Sequence, residues 1–430
     1  MTTKINSVLK EVLEKVKPQE KELAVIRNLL EDFLKKFQKK IKDLKIDAEI
    51  FVGGSFAKNT MINKDKYDAD IFVRFDKKYK NDGISNITLK ILKSMKLKKI
   101  LIICGSRNYF QIDISSCFFL EIIPVVKIKN PKKAENITDL SYLHVKYIGR
   151  KLKSKKILDE VRLAKAFCYS NNCYGAESYI KGFSGYGLEL LVYHYGNFLK
   201  FIKAIVKVKT QIVIDIEKHF KNKQRVLMDL NSSKLTSPII LIDPTYKQRN
   251  ALAGLSKETF KKFQKVCTEF IKNPNVKAFE IKKINLKKIK ETARKKKNEF
   301  ILIEASTNKQ AGNIAGSKLL KFYKHLSQEI ERFFKIKSDG FSYNKKKSAR
   351  YFFVVKKKKE ILFKGPSVKD WKNVKRFKKK HKNIFVKLGR VYSKEKINFK
   401  IQEFIKNWAK KNKKRVKEMG INELRIIGIN

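Results

Sequence analysis

Two strand-like runs joined across a glycine turn constrain this chain more than any other feature. Ala48 to Val52 is the first run and Gly53-Gly54-Ser55 follows it. Ala69 to Phe75 then alternates Ile71, Val73 and Phe75 with Asp70, Phe72 and Arg74, a period of two that predicts a strand. Asp68 and Asp70 stand at i and i+2, so both carboxylates leave the strand on one side and can converge on one hard cation. Glycine allows the positive φ and close approach by which a turn brings backbone N–H groups and the Ser55 hydroxyl to a phosphate.

That pairing is the nucleotidyltransferase arrangement. In such chemistry two Mg²⁺ ions held by carboxylates flank an in-line displacement, one lowering the pKa of the attacking hydroxyl and the other bridging the triphosphate. A lone Asp-x-Asp reads more simply as a solvent-facing pair, but the Gly-Ser turn upstream, in a strand-turn-strand context, favours the metal site. A third carboxylate is needed. Tyr109 to Ile114 and Phe118 to Val126 flank Ser115-Ser116-Cys117 as a hairpin, which offers Asp113 on its first strand and Glu121 on its second; periodicity does not choose between them.

The charge of the chain restricts its partners. Lys and Arg number 101 against 41 Asp and Glu, a formal net charge of +60, and a compact body so charged repels itself unless a polyanion neutralises part of it; nucleic acid is the simplest such partner. Hydrophobic residues make up 43% of the chain, enough for true cores, which excludes wholesale disorder. The N-terminus mixes Lys and Glu with Val and Leu, unlike a signal peptide, and no apolar run approaches the ~18 residues of a membrane span. Five cysteines without a C-x-x-C pair, Cys104, Cys117, Cys168, Cys173 and Cys267, read as reduced core thiols of a cytoplasmic protein.

Length suggests roughly three domains. Leu23, Ile26, Leu30, Leu34, Phe37 and Ile41 predict an amphipathic helix from Pro18, with the proline in its first turn. Residues 1–145 thus read as one α/β domain. A largely helical region follows, interrupted by a strand near Ile239 to Ile242. The remainder mixes strands and helices around three basic runs, Lys282 to Lys297, Lys345 to Lys359 and Lys369 to Lys382. The second holds Tyr351, Phe352 and Phe353, which suit either a phosphate-tracking surface that stacks on bases or a strand whose aromatics belong to a core.

Gly54-Ser55-Phe56-Ala57-Lys58-Asn59-Thr60 with Asp68 and Asp70 resembles the head domain of the archaeal, class I CCA-adding enzymes, tRNA nucleotidyltransferases of the polymerase-β superfamily. Leu143-His144-Val145-Lys146, Glu160 to Lys165, Tyr174-Gly175-Ala176-Glu177, Gly182-Phe183-Ser184-Gly185-Tyr186 and Asp243-Pro244 with Arg249-Asn250 extend the resemblance, and Gly365-Pro366 echoes it faintly. It implies an α+β multidomain fold: a polymerase-β-like head of mixed sheet and helices (1–145), a central helical domain completing the nucleotide pocket (146–256), and a basic α/β body and tail (257–430). The implied activity is addition of C, C and A to tRNA from CTP and ATP, with two Mg²⁺ ions. A poly(A) polymerase, an A-only enzyme and a tRNA-binding protein with a decayed head are the alternatives.

Carried over by position, the resemblance assigns Gly54, Ser55 and Lys58 to the triphosphate, closed over by His144, Lys165 and Tyr174. Lys58 replaces the family's Arg, a point charge in place of a fork. Asp68, where the family has Glu, and Asp70 would hold metal with Glu121, which lies three residues before Pro124 as the family's third ligand does; Asp113 is the alternative. Arg249, with Asp243, would read the base. Acceptor stem and TΨC elbow would be gripped by shape, through the C-terminal domains. Family members pair as dimers, though no interface is marked in this sequence. By its own spacing Lys165 falls on the apolar side of a helix, where it requires an anion, such as phosphate, or must reach past the edge of the apolar stripe. His144 and Tyr174 taken alone read as core residues.

Overall fold

The alternating runs of the first third pair into one mixed sheet. The computed structural model describes residues 2–79, 81–97, 99–103, 105, 107–281 and 284–428. Its first third holds α1 (Thr2–Val16), α2 (Glu20–Asp43), β1 (Ala48–Val52), α3 (Gly54–Ala57), β2 (Tyr67–Phe75), α4 (Asn81–Ser94), β3 (Leu101–Ile103), β4 (Tyr109–Ser115) and β5 (Phe118–Val126). The sheet order is β1-β2-β5-β4-β3, with β2 and β5 parallel and the other neighbours antiparallel.

The α2 stripe buries Leu23, Ile26, Leu30, Phe33, Phe37 and Ile41 in one core with Ala69, Ile71, Val73 and Phe75 of β2 and Leu120 and Ile122 of β5. Strict alternation then leaves Asp68, Asp70 and Glu121 on the other face. Pro18 precedes α2 and is not in its first turn, a position that still suits a residue without an N–H.

A helical region follows, with α5 (Ser141–Lys151), α6 (Lys155–Ser170), α7 (Gly185–Tyr195), α8 (Phe198–Val206), β6 (Ile212–Ile214), α9 (Lys223–Asp229), β7 (Ile239–Asp243), β8 (Tyr246–Asn250) and α10 (Lys257–Lys272). Phe167 of α6 is central to it, with the rings of Phe198, Phe263, Phe270 and Phe279 at 5.1–5.9 Å in edge-to-face contact, a geometry that adds ~0.5–1.5 kcal/mol per pair beyond burial.

Two segments join this core from outside the span 146–256. Ile5, Leu9 and Val12 of α1 pack into it, as do Phe260, Phe263, Cys267, Phe270 and Phe279. The chain accordingly divides into the compact units Met1–Lys282 and Lys283–Asn430. Of the cysteines, Cys168, Cys173 and Cys267 are buried free thiols, whereas Cys117 is exposed because it occupies the hairpin turn; Cys104 lies outside the described residues.

The second unit contains α11 (Leu286–Lys295), β9 (Glu299–Ser306), α12 (Asn313–Phe333), β10 (Phe334–Tyr343), β11 (Ser348–Lys357), β12 (Glu360–Ser367), α13 (Trp371–Lys380), β13 (Ile384–Lys387), β14 (Arg390–Lys396), α14 (Ile401–Lys411), α15 (Lys413–Glu418) and β15 (Glu423–Ile426). One sheet, β10-β11-β9-β15, shares a core with α12 and α14; the other is β12-β14-β13. Tyr351, Phe352 and Phe353 on β11 are buried, so the second basic run has core aromatics and no bases stack on them. Its lysines at 345–347, 358 and 359 stay exposed. On α13 the arrangement reverses, and Trp371 is 66% exposed among lysines. Among the described residues no helix is long and apolar enough to cross a membrane.

Candidate active site

The site begins at the turn after β1. Gly53 donates its N–H to the Asp70 carbonyl at 2.8 Å, which draws the turn onto β2. A Cβ on Gly54, whose φ is +63°, would lie 1.6 Å from Asp70 Oδ2, so no other residue fits there without moving the carboxylate. Asp70 pairs in register with Glu121 on the parallel strand β5. Asp113 on β4 pairs with Phe119, one strand further from β2, and is held by Lys66. Among the residues described, no three Asp, Glu, His or Cys side chains are drawn close enough together to enclose a metal ion.

These carboxylates suit a hard cation chemically. Burial, then the charge of Asp68, pushes the Asp70 carboxyl up to about 6, with Lys58, Lys64 and Lys165 opposing the shift, and a bound cation would favour the ionised form further. Lys64 lies 3.3 Å from Asp68 Oδ1, an ammonium already drawn to the place where the pair needs positive charge.

Behind the turn lies a cluster that the sequence reading did not anticipate. Glu189 on α7 is fully buried, with Lys58 Nζ at 2.7 Å from Oε2 and Lys165 Nζ at 2.8 Å from Oε1. Lys165 also donates to Thr60 Oγ1 at 2.6 Å and to the Thr60 carbonyl at 3.3 Å, and Thr60 Oγ1 donates to Glu189 Oε1 at 3.0 Å. Burial alone would raise the Glu189 carboxyl; the charges of Lys165 and Lys58 overcome that and hold it down to about 2. Burial brings Lys165 down to about 8, with Glu189 opposing the shift. The anion that Lys165 requires is thus a side chain of the protein itself.

One turn before Lys165 on α6, Arg162 fastens the same loop by donating to the Asn59 carbonyl at 2.7 Å and the Met61 carbonyl at 3.1 Å. The Tyr174 hydroxyl lies at the start of α7, where a Cβ on Gly185 would be 2.9 Å away. No hydrogen bond of the Ser55 hydroxyl is part of this cluster.

Asp243 is the hub of a second cluster. Its Oδ2 receives His144 Nε2 at 2.9 Å and Arg249 Nη1 at 2.6 Å. Its Oδ1 accepts from the Tyr186 hydroxyl at 3.0 Å and from Thr245 N and Oγ1 at 2.9 and 2.8 Å. His144 stacks on Tyr186, ring centroids 4.1 Å apart. The His144 ring therefore belongs with Asp243 and Arg249, the two residues expected to read the base. Arg249 Nε is buried without a partner among the described residues, so the guanidinium is held by its Nη1 contact to Asp243. Helix α7 serves both clusters, Tyr186 reaching Asp243 and Glu189 reaching the lysines. Ser184 caps it by accepting from Gly187 N.

Burial would raise Asp243, but the His144 hydrogen bond and the Arg249 charge hold its carboxyl well below the usual range. Burial lowers His144, only partly opposed by Asp243, with Arg249 and Lys58 lowering it further. At neutral pH the imidazole is therefore neutral and donates Nε2–H, and Arg249 supplies the charge that faces Asp243. A histidine whose pKa is depressed on folding contributes stability that is complete above its ordinary value and lost as pH falls through the folded value. His144 should accordingly contribute a loss of stability on acidification below 6.5, the ordinary histidine value, and the difference in stability between wild type and His144→Asn in denaturant unfolding should vary with pH from 5 to 8; a pH-independent difference would contradict the assignment.

Comparison with known proteins adds a family context. Residues 26–139 match the family model of the nucleotidyltransferase domain, and residues 159–280 that of the tRNA nucleotidyltransferase second domain. The chain is similar to the CCA-adding enzyme of Nanoarchaeum equitans, 32% identical over 347 residues, 80% of this chain and 83% of that one. It is similar to the CCA-adding enzyme of Methanocaldococcus jannaschii, 29% identical over 401 residues, 89% and 86% of the two chains. Among solved structures, a cytoplasmic RNA terminal U-transferase is 14% identical, covers 66% of this chain and 99% of its own, and has a TM-score of 0.47.

Proposed function

This chain belongs to the archaeal CCA-adding enzymes, and from that premise we propose that it extends tRNA by C, C and A in turn, using CTP twice and ATP once. The single observation that carries the reading is helix α7 joining the lysines beside the carboxylate strand to an arginine with an unpartnered donor. One cluster suits a triphosphate and the other a base edge, as template-independent selection of a nucleotide requires.

In each addition the tRNA 3′-hydroxyl attacks the α-phosphate. A new P–O bond forms as the bond to pyrophosphate breaks, and pyrophosphate leaves. Asp68, Asp70 and Glu121 would hold Mg²⁺, two ions in all, which when bound supplies the hydroxyl's lowered pKa and neutralises the triphosphate. Ser55 and Lys58 contact the triphosphate, with Gly54 admitting it, and Lys165 and Tyr174 back them. Arg249, set by Asp243, turns its guanidinium to the base, and an arginine fork can bond a base edge and a phosphate together. His144 and Tyr186 keep Asp243 in place. The tRNA substrate and the buried free thiols suit the cytoplasm.

The second unit is read as the grip on the acceptor stem and TΨC elbow, with exposed lysines meeting phosphates and 2′-hydroxyls rather than base edges. Raising KCl from about 50 to about 200 mM should then weaken tRNA affinity at least ~tenfold, measured by filter binding; a salt-independent affinity would contradict a phosphate grip.

The direct test is incorporation. A tRNA transcript lacking its CCA end should be extended by three nucleotides with CTP and ATP and by none with GTP and UTP. Repeated addition of A without C would instead identify a poly(A)-type polymerase.

A further inference from the structure

We propose that Glu189 is a positioning residue of this reaction: its buried carboxylate fixes Lys58 in place for the triphosphate and ties Lys165 to the Thr60 loop. The inference rests on the reading of the phosphate pocket given above. It follows from counting donors. An ammonium has three N–H groups. Those of Lys165 meet three acceptors, Glu189 Oε1, Thr60 Oγ1 and the Thr60 carbonyl, so the protein engages this lysine completely. Lys58 meets one acceptor among the described residues, Glu189 Oε2 at 2.7 Å. It keeps two N–H groups for phosphate oxygens while its end is held.

The carboxylate is equally committed. Oε2 accepts from Lys58, and Oε1 from Lys165 and the Thr60 hydroxyl. Two ammoniums and one carboxylate leave one net positive charge on groups that are at most 9% exposed. Glu189 does not compete with phosphate, because it takes only one donor of Lys58. Without it, two buried ammoniums would be left with no carboxylate bonded to them among the described residues, which buried groups escape by losing a proton or moving out. Either escape removes a cation from the phosphate pocket. The same contacts span the turn of the first domain, through Lys58 and Thr60, and the helices α6 and α7 of the second.

The test compares the full-length protein with Glu189→Gln, which keeps the shape and loses the charge, and Glu189→Asp, which keeps the charge. Steady-state extension of a tRNA transcript gives KM and kcat, and calorimetry gives affinity for CTP and for inorganic tripolyphosphate. Glu189→Gln should raise KM for CTP and weaken tripolyphosphate about tenfold or more, with KM for tRNA within about twofold, and Glu189→Asp should recover part of the loss. Should Glu189→Gln fail to fold, Lys165→Met/Glu189→Leu removes the buried pair as a unit and should show the same loss of CTP and tripolyphosphate. Unchanged or tighter CTP and tripolyphosphate binding in a folded variant would overturn the proposal, as would parallel changes in KM for CTP and tRNA. Wild-type protein that adds no nucleotide would instead overturn the functional reading beneath it.

Discussion

Replacing Asp68 and Asp70 together by alanine should abolish nucleotide addition, by about a thousandfold or more, and leave tRNA affinity within about twofold. The two residues share one side of β2, across from Glu121, and no neighbouring side chain can replace two oxygen donors at once. The loss should come without a loss of stability. A carboxyl whose folded pKa is raised above its unfolded value contributes stability only below the unfolded value, and that stability is lost as pH rises through the folded one. Asp70 rises from 3.8 to about 6, so at neutral pH without divalent cation its ionised form strains the fold. The double variant should unfold at the same temperature as wild type or higher, while gel-resolved extension of labelled tRNA drops to background. Retained extension would place the reaction elsewhere.

Asp243→Ala should cost about 3–5 kcal/mol of stability, because it removes one buried charge and leaves its partners buried without an acceptor. Five hydrogen bonds from four residues converge on this carboxylate. Arg249 loses its anchor together with the charge that compensates its burial, so kcat/KM for both CTP and ATP should fall ~100-fold. Denaturant unfolding followed by circular dichroism reads the first effect and initial extension rates the second. A change in stability below about 1 kcal/mol would mean that Asp243 only forms a turn before Pro244.

What the sequence disclosed was local. The turn and the aspartate pair lie within eighteen residues of one another, and a period of two sufficed to place both carboxylates on one face. Asp113 and Glu121 could not be separated in this way, since both alternate outward on neighbouring strands; the register that sets Glu121 beside Asp70 and Asp113 beside Phe119 is a tertiary fact. Glu189 escaped notice for a related reason. Its partners are 24 and 131 residues away, and on its own it is one acid in the apolar run Leu188 to Val192. A signal was present, because Lys165 on an apolar helix face demands an anion and a lone acid in an apolar run demands a cation. Matching those two demands would have joined them. Charge alone left both alternatives open for Tyr351, Phe352 and Phe353, because the burial of Tyr351 and Phe353 depends on packing with α12 and α14. α1 likewise precedes the sheet in the chain yet buries Ile5, Leu9 and Val12 with the helical domain, a choice that its own periodicity does not encode.

If one chain performs three ordered additions, three tRNA transcripts should separate them: one ending before CCA, one after the first C and one after CC. Each is incubated with Mg²⁺ and labelled CTP or ATP, beside the Asp68→Ala/Asp70→Ala protein. Two additions of C are expected on the first transcript, one C on the second and only A on the third, all absent with the double variant. Tight tRNA binding without incorporation into any transcript would contradict it and leave a tRNA-binding protein whose head no longer reacts.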